Sequence, residues 1–456
     1  MASRSARLVE YLVSLSERDL APELVPCATL SLLDCLGCGL YGSQQKWGEI
    51  VNAFVLSECS RGTATLYGST VPVSPARAAL ANGTSTHGFE LDDIIHGHSH
   101  PGSVVVPAVL AAAEHVQASG ARLLLGLIAG YEMMGRLGSA LGIDHSNRGY
   151  HATGVAGPIA AAVGAGIVMG LNSQQLLSAI GNACSGSSGI KAFTQGTGGM
   201  AKRMHAGRAS ESGLVACELA QRGFTGPMEG IDGRFGLLEV IGGSGARAEF
   251  LDESLGSELA VTQTWVKVYP CCGAIHSTVH ALETLKQEHQ FSPAQVSEIR
   301  VHTSRRGVEQ NGGRDPQDTM AAQYSIPFCA GVAVAGNPRN PVAYAETSLQ
   351  DPVVRDLALR TKLILDPEID RLYPTHLASR VEVTLTDGRQ VEAEVLDPPG
   401  SHAHPCTPAD IEDKFRRLAG NVKSRDTVDR IVAAVRKLPS MSTVSELSAA
   451  LREGNL

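Results

Sequence analysis

Residues 381–395 read Val381-Glu-Val-Thr-Leu385-Thr-Asp387-Gly388-Arg389-Gln-Val391-Glu-Ala-Glu-Val395. Apolar and polar residues alternate on both sides of Asp387-Gly388, and that dipeptide supplies the positive φ of a tight turn. The segment therefore predicts a β-hairpin. Upstream, 296–303 alternates in the same way, with Ile299 and Val301 on one face, and predicts another strand. Downstream, Asp397-Pro-Pro-Gly400 ends the region, and Thr407-Pro408 opens a helix in the favoured order, cap residue and then proline. The first ~265 residues have another texture and read as helical almost throughout. Ala-rich stretches at 104–116, 123–141 and 159–169 space their apolar residues three and four apart, and Asn172-Ser173 is placed to cap 174–180. The expected fold is mainly α. A large all-helical domain is built from both termini (1–266 and 401–456), with a smaller α+β lid domain inserted at 267–400.

Composition narrows the function. Lys+Arg 38 against Asp+Glu 46 gives a net charge of −8 with no basic block, which argues against a nucleic-acid partner. The N-terminal segment breaks its apolar positions with charges, unlike a signal peptide. The apolar runs at 104–113 and 154–169 carry proline or glycine and stop short of the ~20 residues of a membrane span. These features predict a cytoplasmic protein with no membrane partner, whose ten cysteines are reduced thiols.

Four polar constellations stand out. The densest is His87-Gly-Phe-Glu90-Leu-Asp92-Asp93-Ile-Ile-His96-Gly-His98-Ser-His100-Pro-Gly102. His96, His98 and His100 with Asp92 or Asp93 make a candidate site for a divalent metal. Alternatively one histidine is a general acid or base and the rest shape the loop, or the whole is a solvated polar loop. Pro101-Gly102 forces a turn that puts His100 at the mouth of the next helix, where free N–H groups attract anions. Second, Arg148-Gly-Tyr150-His151 again sets a histidine at a helix entrance. Third, Gly196-Thr-Gly-Gly-Met-Ala-Lys202-Arg-Met-His205-Ala-Gly-Arg208 resembles an anion cradle but lacks phosphate-loop spacing. Its three-residue steps predict Lys202, His205 and Arg208 along one helix face. Fourth, Lys267-Val-Tyr269-Pro-Cys271-Cys272 falls at the expected domain junction, where clefts form; adjacent cysteines do not suit an iron–sulfur cluster, and they read as small core residues.

Taken in order, Glu90-Leu-Asp-Asp with His100-Pro-Gly and Val106-Pro-Ala, Lys202-Arg-Met-His-Ala-Gly-Arg208, Gly223-Phe-Thr-Gly-Pro227 and Lys267-Val-Tyr-Pro-Cys-Cys272 resemble the MmgE/PrpD family. That family includes 2-methylcitrate dehydratase, cis-aconitate decarboxylase and iminodisuccinate epimerase. The resemblance implies a homodimer, a helical domain with an α+β lid, and a site where the domains meet that needs no metal or organic cofactor. It implies that His100, His151 and Lys202 are catalytic and that Lys267 is close. Glu90, Asp93, Tyr150, His205, Arg208, Tyr269 and Cys272 join Lys267 as substrate-binding candidates. In the decarboxylase branch the resemblance leads one to expect Asp at Glu90, Thr at Ile94, His at Cys272 and Tyr near Phe328. All four differ here, which counts against cis-aconitate itself as the acid decarboxylated.

These reactions all build negative charge on carbon beside a carboxylate, which fixed cations such as Lys202, Arg208 and Lys267 make tolerable. The leading expectation is dehydration of a 2-methylcitrate-like hydroxy acid. The alternatives are epimerisation of an iminodisuccinate-like substrate and decarboxylation of a cis-aconitate-like acid. Outside this class stand a metal-dependent hydrolase built on the 87–100 histidines and a non-catalytic anion binder.

Overall fold

In the computed structural model the described residues are 3–17, 20, 22–58, 62–95, 99–194, 199–373 and 375–454. They fall into two compact units. The first comprises Met1–Gly88, Asp92–Trp265 and Thr407–Leu456 and is helical. At its centre the helix Ala152–Met169 packs against Pro101–Val116, Gly120–Leu141, Ser173–Ser185 and Met200–Gln221. A helix with neighbours all round has no wet face, which is why its sequence is apolar on every side. The fit is close: a Cβ at Gly213 would lie 2.5 Å from the carbonyl oxygen of Pro158, so only glycine allows these backbones to approach. Leu24–Ser43 and Ala152–Met169 are long and apolar enough to cross a membrane, yet 67% and 94% of their apolar windows is buried within the protein. They serve as core helices here.

Capping follows the sequence. Asn172 and Gln175 form a capping box at the start of Ser173–Ser185, and Thr407 with Asp410 forms another ahead of Pro408–Ala419. That last helix returns to Leu24–Ser43, where Lys414 Nζ meets Asp34 Oδ1 at 2.7 Å, both side chains buried. One expectation needs correcting. Residues 222–265 are not regular helix but turns with short 3₁₀ and π segments such as Leu238–Gly242 and Ala248–Leu251. Glycines at 223, 226, 230, 233, 236, 242, 243 and 245 raise the entropic cost of a helix beyond what the scattered apolar residues return.

The second unit comprises Phe89–Leu91 and Val266–Cys406. Its four-stranded sheet has the order β2-β1-β3-β4, with β1 Val296–Thr303, β2 Thr361–Leu365, β3 Ser379–Leu385 and β4 Gln390–Val395. β2 runs parallel to β1, while β1–β3 and β3–β4 are antiparallel; Ile299 faces Val383 and Val301 faces Val381. The hairpin turns through a Gly388 N–H to Leu385 carbonyl bond of 3.0 Å, with Gly388 at φ 88°. The helix His276–His289 packs on β3 and β4. The segment Phe89–Leu91 is held in this unit by the Gln323 side-chain amide, which donates to the Phe89 carbonyl at 2.8 Å.

Candidate active site

In the first unit, His100 and His151 are the N-cap residues of Pro101–Val116 and Ala152–Met169. Each therefore stands where a helix presents unpaired N–H groups and the positive end of its dipole. Both are 7% exposed, Lys202 is 2% exposed, and His87 is fully buried. The His100 Nδ1–H donates to the Asp93 carbonyl at 2.8 Å. That bond fixes the tautomer, with the proton on Nδ1. The His87 Nδ1–H donates to Asp92 Oδ2 at 2.6 Å, and the same oxygen lies 3.4 Å from His100 Nδ1. His151 and His205 meet through their Nδ1 atoms at 3.0 Å, and Phe193 packs on both rings at 5.5 and 5.8 Å.

Burial pushes His151 well below its ordinary value, and the positive charges of His87, Lys202, His205 and His100 push the same way. His205 is lowered to about 4, first by burial and then by His87 and Lys202. Burial thus disfavours the charged form of both rings of this pair, with Lys202 adding to it, and His151 stands at a helix N-terminus as His100 does. Such a place receives an anion and exchanges protons with it. His87, Asp92 and His100 bring one ligand atom each within 4.8 Å of one another, close enough to share a cation. His96 and His98, the other members of the metal reading, lie outside the described residues.

In the second unit, Lys267 Nζ meets Glu90 Oε2 at 3.1 Å, with side chains 1% and 5% exposed. Glu90 adopts φ 56°, a left-handed conformation that a glutamate holds only where its surroundings impose it. Cys272 is buried, which raises its thiol, and the Arg306 guanidinium is the largest opposing influence.

Several candidates sit elsewhere than the sequence suggested. Arg208 is not brought to the histidines: its side chain is 62% exposed and pairs with Glu211 at 2.5 Å. Three-residue steps lag a 100° helix by about 60° each, so Arg208 has swung roughly 120° from Lys202. The Tyr269 hydroxyl donates to Glu283 at 2.7 Å and faces His280, not Lys267. Tyr150 pairs with Ile190, its ring under the Arg148 guanidinium. The Asp93 carboxylate is turned inward to the Tyr131 hydroxyl and the Gly102 N–H, at 2.7 and 2.8 Å, so it holds His100 through its carbonyl alone. His87 lies in the densest motif but was given no role of its own, and Asp92 was read there only as a possible metal ligand. Arg306 and Phe193 carried no sequence signal.

Comparison with known proteins gives the same family from two sides. Residues 6–249 match the MmgE/PrpD N-terminal domain and 269–439 the MmgE/PrpD C-terminal domain. The chain is 30% identical to a cis-aconitate decarboxylase-like protein, oryM, of Aspergillus oryzae, covering 98% of this chain and 96% of that one. It is 28% identical to a cis-aconitate decarboxylase of Aspergillus terreus (97% and 94% covered) and 26% identical to that of Homo sapiens (92% and 89%). The chain belongs to the MmgE/PrpD family.

Proposed function

We propose that the chain is a lyase acting on a di- or tricarboxylate without a metal or organic cofactor, with decarboxylation of a cis-aconitate-like acid as its leading reaction. The observation that carries this reading is the buried set His100, His151 and Lys202, with half-buried His205 against His151 and two of the histidines capping helices. Similarity over nearly the whole chain to proteins named cis-aconitate decarboxylase supports decarboxylation over the dehydration that the motifs alone put first.

In such an acid the bond between a methylene carbon and its carboxylate breaks, CO2 leaves, and the electron pair forms a new C=C bond. The pair of the old double bond moves onto the carbon beside another carboxylate, where a proton quenches it. That charge is bearable only against fixed cations in a water-poor setting, and Lys202 with the two helix N-termini supplies them. An arriving polyanion also favours protonation of His151 or His100, either of which then delivers the proton. Glu90, Ile94, Cys272 and Phe328 stand where the decarboxylase branch would hold other side chains, so the acidic arms of the substrate are held differently here or are fewer.

Dehydration remains the second reading, because it needs two proton-transfer groups and His100 and His151 are two separate buried ones. The test is NMR in heavy water on a panel of cis-aconitate, 2-methylcitrate, citrate, iminodisuccinate and alkylated succinates. The leading reading expects CO2 loss with one deuterium entering carbon. Loss of water, or exchange with inversion, selects dehydration or epimerisation. Ligand-induced thermal shifts with no exchange leave an anion binder. Stoichiometric bound metal with turnover lost on chelation would replace this account with a metal-dependent hydrolase.

A further inference from the structure

His87 has no part in the proposed lyase chemistry, yet it lies between His100 and His151 in the histidine cluster. It ends the helix Pro75–Thr86, at the start of a 3₁₀ turn, His87–Phe89, and is fully buried. Its ring stands edge-on to His100 at 4.9 Å (62°) and stacks on His151 at 5.6 Å (28°). His151 in turn tilts against His205 at 5.2 Å, so His100, His87, His151 and His205 form one run of rings. Two anchors set the plane of His87. One is the 2.6 Å bond to Asp92 Oδ2, the oxygen that also faces His100 at 3.4 Å. The other is the Ser103 hydroxyl, 3.4 Å from the same Nδ1. Its Nε2 is buried and has no hydrogen-bond partner among the described residues. Proteins rarely keep a buried polar atom unsatisfied without a use for its side chain, and a merely structural wedge there would be aromatic or aliphatic.

The geometry points to His87 as a positioning residue: clamped by Asp92, it fixes the ring planes of both His100 and His151. It acts through those rings and not on the substrate, and the assignment rests on the proposed roles of the two histidines. Ring orientation matters because proton transfer depends on a short, aligned path, and a small rotation of a catalytic ring costs rate while leaving affinity in place.

Two substitutions separate the parts of the device. His87→Phe keeps a ring between the neighbours but loses the bond to Asp92. His87→Asn keeps an N–H for Asp92 but loses the ring. Both are expected to lower kcat about 10–100-fold, the usual cost of losing an orienting partner, with KM near the parent's; His87→Asn, which keeps a donor for buried Asp92, should also keep the parent's melting temperature. Unchanged kcat in both overturns the proposal, and so does a parallel loss of kcat, KM and melting temperature in His87→Asn. Nitrogen-15 NMR of histidine-labelled protein gives a readout without any substrate. His87→Phe should displace the ring-nitrogen signals of both His100 and His151 from the parent's as the two rings turn, while the Asp93 carbonyl still holds the His100 tautomer. Unmoved signals from both rings overturn the positioning role even if the reaction proves different. A parent that turns over no carboxylate, with those signals displaced as expected, overturns the functional reading alone.

Discussion

His205 and Asp93 show how burial, as the largest influence on each, moves a base down and an acid up. Desolvation takes His205 from its usual 6.5 to about 4, helped by the charges of His87 and Lys202. The unfolded chain therefore binds a proton on this ring across that window and the folded chain does not, so stability falls as pH drops from about 6.5 towards 4. Asp93 runs the opposite way. Burial is the main cause that lifts it to about 7, with Asp34 and Asp92 adding and the Tyr131 hydroxyl opposing. Its contribution to stability is present below its usual value and is lost as pH rises through 7. Substitution isolates one of the two. His205→Gln should lose less melting temperature than the parent between about pH 6.5 and 4.5, measured by calorimetry at each pH; an identical loss contradicts the burial argument. At this scale the placement of several candidate residues was legible. A histidine followed by Pro-Gly, and another before an Ala/Gly-rich run, are helix entrances by local chemistry alone. The register of Lys202, His205 and Arg208 was read wrongly, because a step of three is not a full helical turn. Arg306 and Phe193 were invisible because only tertiary folding brings them near Cys272 and His151.

The elements divide by how much local chemistry they carry. Thr407-Pro408, Asn172 and Asp387-Gly388 each combine a backbone preference with a side-chain bond, and each marks its element where the structure has it. β2 escaped because Thr361–Leu365 is five residues with no turn signal and gains its ladder from β1, far off in sequence. The 222–265 stretch misled in the other direction, since apolar residues at helical spacing do not outweigh so many glycines. The hairpin turn gives a clean test. Gly388 is at φ 88°, and a Cβ there would meet nothing within 4 Å. Gly388→Ala should therefore cost about 1–2 kcal/mol of backbone strain and little else, read from urea unfolding. A neutral substitution would mean that the turn changes form.

For the whole molecule, the helical unit is closed by its two ends. Asp34 on Leu24–Ser43 and Lys414 on Pro408–Ala419 meet in the core, where burial raises Asp34 and the Lys414 ammonium lowers it. Lys414→Met leaves that carboxylate buried without its cation and should cost about 3–5 kcal/mol, whereas Asp34→Leu with Lys414→Met should recover most of the loss. No recovery would contradict this account of the pair. The interruption of a helical chain by an α+β segment was readable from the texture change after 265. The capture of Phe89–Leu91 by the second unit was not, because it depends on Gln323, more than two hundred residues away in sequence. The central claim is that two buried histidines and a buried lysine manage a carbanion, and deuterium entry into carbon during turnover in heavy water tests it most directly. With the acid that the parent consumes, His100→Ala and His151→Ala should each stay folded yet lower the rate of deuterium entry by about 10²–10⁴. Deuterium entering at the parent's rate in both variants would contradict it.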